Sequence, residues 1–414
     1  MDARLAIGVV GAGTAGAAAA TLLARAGHTV DILECVATPK PIGAGITLQP
    51  TGQAALARLG LLDAVEARGA RIDRLICVRR GGKYLVDLPY ADIDPRLYGL
   101  GIHRGVLFEV LFAAARAAGA RITCGTKIVS RSPDRRFLVD ANGDQHGPYD
   151  LVICADGSVC ELHHEASRCS STPYPYGALW YVVDDPGFAR ERTLHQIVDG
   201  PRHLLGYLPT GMGPGSDTPV VSLFWSLRVD QHAAWRAAGL ATWRDQVLRL
   251  DARAEPILDT LHDLEPVLFS KYRDVRMWPW HGDRIVFVGD AAHAMSPQLG
   301  QGANLALVDA ITLADAIERE PDVPRALAAY TSARRRHLAF YQFATRALTP
   351  LFQSDSRVLG WMRDRIFPTS RWLGVLRRRM VRSMVGIERG FVRSPIPISD
   401  VVRPPARLPA ATDP

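Results

Sequence analysis

Residues 5–34 read Leu-Ala-Ile-Gly-Val-Val-Gly-Ala-Gly-Thr-Ala-Gly-Ala-Ala-Ala-Ala-Thr-Leu-Leu-Ala-Arg-Ala-Gly-His-Thr-Val-Asp-Ile-Leu-Glu. The 20 residues from Leu5 to Ala24 carry no formal charge, a length that nominates a membrane span or a signal peptide. The glycine phasing argues otherwise. Leu5–Val10 is a short β-branched run, and Gly11-Ala12-Gly13-Thr14-Ala15-Gly16 follows it. An Ala/Leu-rich helical stretch then runs to Ala26, with Gly27 where a helix cap belongs. Thr29–Leu33 is a second strand, ending at Glu34. Strand, turn, helix and strand within about 30 residues is the context that gives G-x-G-x-x-G its meaning as a dinucleotide-binding turn.

Each residue type has a physical task there. Gly11 allows the tight turn, Gly13 lets the backbone approach a pyrophosphate, and Gly16 lets the helix pack close to the strand. The helix N-terminus offers free N–H groups and a partial positive charge to phosphates. Glu34, 18 residues after Gly16, is placed to accept hydrogen bonds from a ribose diol. A carboxylate there disfavours a 2′-phosphate, so the site suits the AMP half of FAD or NAD rather than NADP.

Composition frames this unit. The chain has 414 residues, 48% of them hydrophobic and 22% charged, which excludes disordered, collagenous and mucin-like classes. The net charge of +7 is unevenly spread. Residues 331–414 hold 16 Arg against 5 acidic residues, and the first 330 residues sum to −4. The chain as a whole is therefore no nucleic-acid binder. Six cysteines (Cys35, Cys77, Cys124, Cys154, Cys160, Cys169) form no C-x-x-C pair and read as reduced thiols of a cytoplasmic protein. Cys35, Cys77, Cys124 and Cys154 lie in or beside apolar runs and are expected in the core.

Further along, Gly43-Ala44-Gly45-Ile46 leads into a helix over 49–60, and His103-Arg104-Gly105 opens a helix running to about Ala118. Short strands are expected at Leu75–Val78, Tyr84–Leu88, Ile122–Cys124, Lys127–Arg131, Phe137–Asp140 and Leu151–Cys154. The strand Leu151–Ala155 ends in Asp156-Gly157. The strand Arg284–Val288 ends in Gly289-Asp290-Ala291-Ala292-His293, and Pro297-Gln298-Leu299-Gly300-Gln301-Gly302-Ala303-Asn304 feeds a helix to about Ile317. Two buried strands each ending in glycine and an acid fit a parallel sheet whose C-terminal edge holds a ligand.

Taken in order, these pieces resemble the FAD-dependent aromatic hydroxylases, the single-component flavoprotein monooxygenases of the p-hydroxybenzoate and salicylate hydroxylase type. The resemblance rests on the glycine turn with Glu34, Arg104-x-x-Leu107-x-x-x-Leu111, Asp156-Gly157, and Gly289-Asp290 through Asn304 with Asp309. It implies an α/β fold: a doubly wound, Rossmann-like parallel sheet binding FAD, an inserted antiparallel substrate sheet, and a C-terminal helical segment. The expected division is FAD-binding parts at 1–72, 101–172 and 276–345, substrate parts at 73–100 and 173–275, and a C-terminal extension at 346–414. The implied FAD contacts are Gly11, Ala12, Gly13, Ala15, Gly16, Glu34, Gly45, Ile46, Arg104, Asp156, Gly289, Asp290, Pro297, Gly300, Gly302, Ala303 and Asn304. In that reading Asp290 binds the ribityl hydroxyls, Arg104 reaches the pyrophosphate, and the helix beginning near Gly302 stabilises the anionic reduced flavin. Pro297 sits at the flavin face where oxygen adds.

The implied activity is hydroxylation of an electron-rich aromatic or heteroaromatic small molecule. NADH or NADPH reduces FAD transiently, and O2 forms the C4a-hydroperoxyflavin. Tyr207, beside Gly206 and Pro209, and His195 are candidates to polarise a substrate hydroxyl. Trp180, Tyr207, Phe224 and Trp225 are the aromatic positions of the substrate strands. The family's D-G-x-x-S-x-x-R motif meets Cys160 and His163 here, a departure in an element tied to both FAD and NAD(P)H. Thr51 stands where relatives often carry Asn. Trp278-Pro279-Trp280 resembles part of the W-x-W motif of flavin-dependent halogenases, with Gly282 where that motif has isoleucine. No metal set is expected. Two alternatives stay open: an FAD-dependent reductase or desaturase of an isoprenoid at a membrane surface, and a non-enzymatic FAD-binding redox protein. The chain is expected to act as a monomer or homodimer.

The C-terminal segment reads as a helix from Arg371. Trp372, Leu373, Leu376, Met380, Met384 and Ile387 form its apolar face, Arg371, Arg377, Arg378, Arg379 and Arg382 the other, and Gly386 and Gly390 the stops. Docking on the protein's own acidic body is the expected role, with membrane contact the alternative. The Pro-rich tail Arg393–Pro414 is expected to be extended.

Overall fold

The computed structural model describes residues 4–390 and 394–402. β1 (Ala6–Val10), α1 (Thr14–Arg25) and β2 (Thr29–Glu34) follow one another as expected. Gly27 adopts φ +92 just past the helix, and its amide and that of His28 bond back to Ala24 and Leu23, which closes the helix end. β1 lies inside a six-stranded sheet. The order is His281–Gly282, Ile285–Phe287, Leu151–Cys154, β1, β2, Arg121–Cys124, and all pairings are parallel except the first. Its central strands are apolar throughout because helices cover both faces. Ala17, Ala18, Ala19 and Ala20 of α1 are fully buried, and their small side chains let α1 pack closely between the helices Arg104–Ala117 and Gly302–Arg319.

A seven-stranded sheet stands beside this unit. Its order is Leu268–Met277, Cys169–Asp184, Pro219–Arg228, His203–Met212, Thr193–Asp199, Arg74–Arg79, Tyr84–Pro89. All pairings are antiparallel except Thr193–Asp199 with Arg74–Arg79. Alternation assigns its side chains to two cores. Leu179, Leu205, Tyr207, Leu223 and Trp225 pack with Trp235 and Trp243 of the helical segment 232–250, which is kinked at Gly239. Leu204, Leu208, Phe224 and the partly buried Trp180 pack on the other face with Phe352, Val381 and Met384 of the C-terminal helices.

A three-stranded sheet of Gly45–Leu48, Gly99–His103 and Ala70–Ile72 joins the two units. The expected boundary at 100/101 therefore falls within a strand. The boundary at 345/346 falls inside the long helix Val323–Phe352: its buried stripe of Arg334, His337, Leu338, Tyr341, Thr345, Thr349 and Phe352 runs through without interruption.

The C-terminal segment differs from expectation at its start. A short 3-10 turn, Phe367–Arg371, precedes the helix Gly374–Val385. Trp372 and Leu373 are exposed, whereas Val381, Met384, Val385 and Ile387 are fully or nearly buried. The break at 372–373 rotates the first apolar residues away from the body, and only the last two turns dock. They dock through backbone carbonyls: Met384 accepts from Gln301, Ser383 from Tyr341, and Gly386 bonds His337. Arg377 pairs with Asp92 at 2.7 Å. Gly386 ends the helix at φ +100. Arg393 and residues 403–414 of the expected tail lie outside the described residues, and Ile398–Asp400 forms a short 3-10 turn. Cys77 and Cys154 are buried as expected, but Cys35 is exposed, because it follows the last residue of β2.

Candidate active site

Three chain segments converge at the C-terminal edge of the parallel sheet, and the glycines report how tightly. A side chain at Gly11 would come within 2.7 Å of the Ala155 carbonyl and 2.9 Å of the Asp156 Cα. One at Gly16 would overlap the Gly11 carbonyl oxygen. Gly13 faces open space, with nothing closer than 4.0 Å. Two glycines are thus required by packing and one leaves the approach to the helix N-terminus clear. At that N-terminus Gly13 caps α1 without any side-chain bond, so its first-turn amides remain available to an anion.

Glu34 lies against this turn. Its Oε2 accepts the Ala12 amide at 2.8 Å and its Oε1 the Val36 amide at 2.9 Å. The carboxylate is fixed and half-buried, with lone pairs to spare for a diol.

The second segment is the Asp156 loop. Asp156 Oδ1 is buried with no hydrogen-bond partner among the described residues, and burial raises its carboxyl above the usual range. An orphaned buried carboxylate oxygen calls for a hydroxyl or amine donor. His163 Nε2 lies 2.7 Å from the Ala291 carbonyl, and Cys160 is buried beside Cys154 and Asp156. The two departures from the family motif therefore have local roles: His163 ties the Asp156 loop to the Asp290 turn, and Cys160 packs inside the loop beside Cys154 and Asp156.

The third segment begins at Gly289, which adopts φ +60 and approaches Ala15 to 3.0 Å from its would-be Cβ. Asp290 is exposed, and its carboxylate has no hydrogen bond or ion pair among the described residues. It lies 3.9 Å from the position of a side chain at Gly302, at the N-terminus of the 18-residue helix Gly302–Arg319. Pro297 is exposed at the start of the turn Pro297–Leu299, and Gly300 takes φ +60. The helix N-terminus is held by Asn304. Its side chain is fully buried and donates to Thr47 and Gly300 carbonyls at 3.1 and 2.9 Å while accepting the Gln49 amide at 2.8 Å. Asn304 therefore has no side-chain donor left for a cofactor, and only the backbone amides of Gly302, Ala303 and Asn304 face outward from the first turn.

Arg104 starts the helix Arg104–Ala117. It is exposed, packs its stem against Gly43, and its guanidinium makes no ion pair among the described residues. Gly45 donates its amide to Ser222 at 2.9 Å, and a side chain there would meet Thr210, Ser222 and Leu208. Gly45 and Ile46 thus bring the parallel-sheet unit against the Leu208 face of the antiparallel sheet.

Strand parity sorts the aromatic residues relative to that contact. Trp180 and Phe224 lie on the Leu208 face, rings 5.0 Å apart, and Trp180 Nε1 donates to the Tyr272 hydroxyl at 3.3 Å. Burial pushes the Tyr272 phenol up to about 12. Tyr207, Trp225 and His195 are on the opposite face. Tyr207 stacks on Phe188 at 4.5 Å, and His195 bonds Arg253 at 2.9 Å. Burial, then the Arg253 charge, lowers His195 to about 4. The structure does not bring His195 or Tyr207 together with Pro297. The reason is strand parity: residue 207 is one step from 208 and so points to the other core.

The sequence reading also left a buried polar relay behind the site unassembled. Asp309 is fully buried and accepts the Gly289 amide at 2.9 Å, His293 Nε2 at 2.6 Å and Arg334 Nε at 2.6 Å. Arg334 bonds His337 at 2.7 Å, and His337 bonds the Gly386 carbonyl at 2.7 Å. Burial works against ionisation of Asp309, but His293 and Arg334 hold its carboxyl well below the usual range. The relay links the Gly289 turn to the C-terminal helix. Thr51 touches the same end, 3.4 Å from the Val385 carbonyl.

The residues present fit a dinucleotide cofactor with two phosphates and a polyol chain. There is an open glycine turn at a helix N-terminus, a fixed carboxylate at the end of β2, an unpaired buried Asp156 oxygen, a free Asp290 carboxylate, and an unpaired arginine.

Comparison with known proteins agrees with that geometry. Residues 4–341 match the model of the FAD binding domain family. The chain is 30% identical over 354 residues to a kynurenine 3-monooxygenase of Salinispora arenicola, covering 80% of this chain and 76% of that protein. It is 31% identical over 346 residues to a probable 2-heptyl-3-hydroxy-4(1H)-quinolone synthase of Rhodococcus erythropolis, covering 79% and 83%. The fold matches that of a probable FAD-dependent monooxygenase from Pseudomonas aeruginosa with a TM-score of 0.74 at 22% identity, over 87% of this chain and all of that one. Neither the reductase nor the non-enzymatic alternative gains support from these likenesses.

Proposed function

The chain belongs to the FAD-dependent aromatic hydroxylases and is an FAD-dependent monooxygenase, and from that premise we propose how its own residues serve the reaction. NAD(P)H, a proton, O2 and an aromatic C–H become NAD(P)+, water and an aromatic C–OH. FAD held by the Gly11–Gly16 turn, Glu34, Arg104, Asp156 and Asp290 would supply the redox chemistry, hydride acceptance and dioxygen activation.

The protein's part is binding, orientation and exclusion of water. The amides around Gly13, Thr14 and Ala15 cradle the pyrophosphate, with Arg104 as the counter-charge. Glu34 accepts from the adenosine ribose, and Asp156 and Asp290 accept from the polyol chain. Gly300, Gly302 and Ala303 let the backbone approach the ring system, and the N-terminus of the 18-residue helix stabilises negative charge there. The Asn304 side chain positions that N-terminus and leaves its backbone amide to the cofactor. Pro297 borders the ring face where the substrate arrives.

The substrate is an electron-rich aromatic or heteroaromatic small molecule. It packs against Trp180 and Phe224, with the Tyr272 hydroxyl, which accepts from Trp180 Nε1 and stays neutral across the working pH range, as a polar group at that wall. The observation that carries this reading is the Gly45 contact. It joins the Gly45–Leu48 strand to the Leu208 side of the antiparallel sheet, the side that also carries Phe224 and Trp180, and this reading seats the substrate between that side and the turn from Asp290 to Asn304. In this reading segments 1–72, 101–172 and 276–345 serve mainly FAD and 73–100 and 173–275 mainly the substrate, with the strand Gly99–His103 and the helix Val323–Phe352 running across two of these divisions. Six free thiols suit a cytoplasmic enzyme, and the reading takes it to act as a monomer or homodimer.

The test is a panel of phenols, anilines and quinolones screened for stimulation of NADH and NADPH oxidation by the FAD-loaded protein, with product mass measured. An oxygenated product from one ring class supports the reading. Equal, slow oxidation with every compound and no oxygenated product refutes it.

A further inference from the structure

The helix Arg357–Ile366 is built inside out. Its inward face carries Gly360, packed on Pro201, and Arg363, whose side chain is fully buried. Arg363 donates to the Gly200 and Leu351 carbonyls at 3.1 Å each and pairs with Asp364. Its outward face carries Val358, Trp361, Met362 and Ile366, spaced three and four residues apart and all exposed. The chain continues into Trp372, 89% exposed, and Val375, 86% exposed. Among the described residues fourteen large hydrophobics are exposed, and seven of them fall between Val358 and Val375. Such concentration marks a contact surface rather than scatter.

The charge around it selects the occupant. Residues 357–379 hold seven arginines and one acidic residue, Asp364. That carboxylate is already shared by Arg363 and Arg79. Arg357 and Arg378 have no ion pair among the described residues, and Arg365 lies over the Trp361 ring at 5.5 Å. A second copy docked face to face by a two-fold axis would set this arginine set against itself. An anionic lipid surface complements both features, since tryptophan and arginine together are the signature of the bilayer interface. No helix among the described residues is long and apolar enough to cross a membrane, so the contact is peripheral.

We propose that the face formed by Val358, Trp361, Met362, Ile366, Trp372 and Val375 docks on an anionic lipid bilayer, with the exposed Arg357, Arg365 and Arg378 at the headgroups. The residues are exposed and outside the cofactor site, so substitutions there leave the fold and FAD content intact. The FAD-loaded full chain is floated with vesicles of phosphatidylcholine alone and of phosphatidylcholine mixed with phosphatidylglycerol. The expected result is binding to the mixed vesicles only, weakened by salt. It should fall at least about tenfold in Trp361→Glu/Trp372→Glu, with unchanged FAD absorbance. Absence of binding, or equal binding by the double variant, overturns the proposal. So does a light-scattering dimer that the same variant dissociates, because the face then belongs to a second copy.

Discussion

Asp309→Asn puts the buried relay under direct strain. The carboxylate accepts three hydrogen bonds, one from a backbone amide and two from cationic or ring N–H groups. An asparagine in the same place offers one oxygen and one NH2. In either orientation the NH2 faces a donor, Arg334 Nε on one side or Gly289 and His293 on the other. The Arg334 guanidinium, with 3% of its side chain exposed, is left buried without a counter-charge. Removing one partner of such a buried pair costs about 3–5 kcal/mol, a large part of a typical folding free energy of roughly 5–15 kcal/mol. The same change frees the Gly289 amide, so FAD affinity should fall alongside stability. The assay is urea unfolding of the FAD-free and FAD-loaded protein, followed by circular dichroism and flavin fluorescence. Asp309→Leu combined with Arg334→Met removes both charges and should destabilise less than the single change, because no unpaired ion remains. A loss below about 1 kcal/mol for Asp309→Asn, or a double variant worse than the single, would refute the assignment of the relay as a load shared between the Gly289 turn and the C-terminal helix.

Three further outcomes are expected. Gly16→Ala forces a methyl into the Gly11 carbonyl; it should cost about 1–3 kcal/mol and yield protein purified largely without FAD, read from the visible absorbance per chain. Phe224→Ala should raise the KM for the aromatic substrate roughly tenfold, a loss of about 1.4 kcal/mol of binding, while Tyr207→Phe and His195→Ala leave KM unchanged; a larger effect at Tyr207 than at Phe224 would reverse the assignment of sheet faces. His337 is pushed down to about 3, by burial first and then by Arg334, so its neutral form contributes stability above about pH 6.5. That contribution is lost as pH falls from there toward 3, and His337→Gln should flatten the decline in denaturant midpoint over that window.

The FAD unit was legible because its constraints are local. Gly11, Gly13, Gly16, Gly27 and Glu34 act within one strand–helix–strand unit: Gly11 and Gly16 sit where packing leaves no room for a side chain, Gly13 leaves the helix N-terminus open, Gly27 closes the helix, and Glu34 lies against the turn. The aromatic wall was not legible, because strand parity alone separates Tyr207 from Leu208 and Trp225 from Phe224. Which face the parallel-sheet unit packs against is set by Gly45, some 160 residues away in the chain. The relay needed Arg334 to be distinguished from Arg335 and Arg336. A signal existed: position 334 continues the stripe 327, 330, 334, 337, 338, 341, all of it buried, while its two neighbours are exposed. The C-terminal helix was misread at its start because a helical wheel assumes continuity. The break at Trp372–Leu373 turned an apparent docking face outward. Tyr272 carried no sequence signal, since it lies where the pairing of two strands shifts register between Pro173 and Gly177.

The central claim is that this chain inserts one atom of dioxygen into an aromatic ring using bound FAD and a reduced nicotinamide. The direct measurement is turnover of the FAD-loaded enzyme with its best-stimulating aromatic compound under dioxygen labelled with heavy oxygen, with product mass recorded. The account predicts a hydroxylated product carrying one labelled oxygen atom per molecule and none when only the water is labelled. A product whose oxygen comes from water, or nicotinamide oxidation that yields only hydrogen peroxide with every compound, would contradict it.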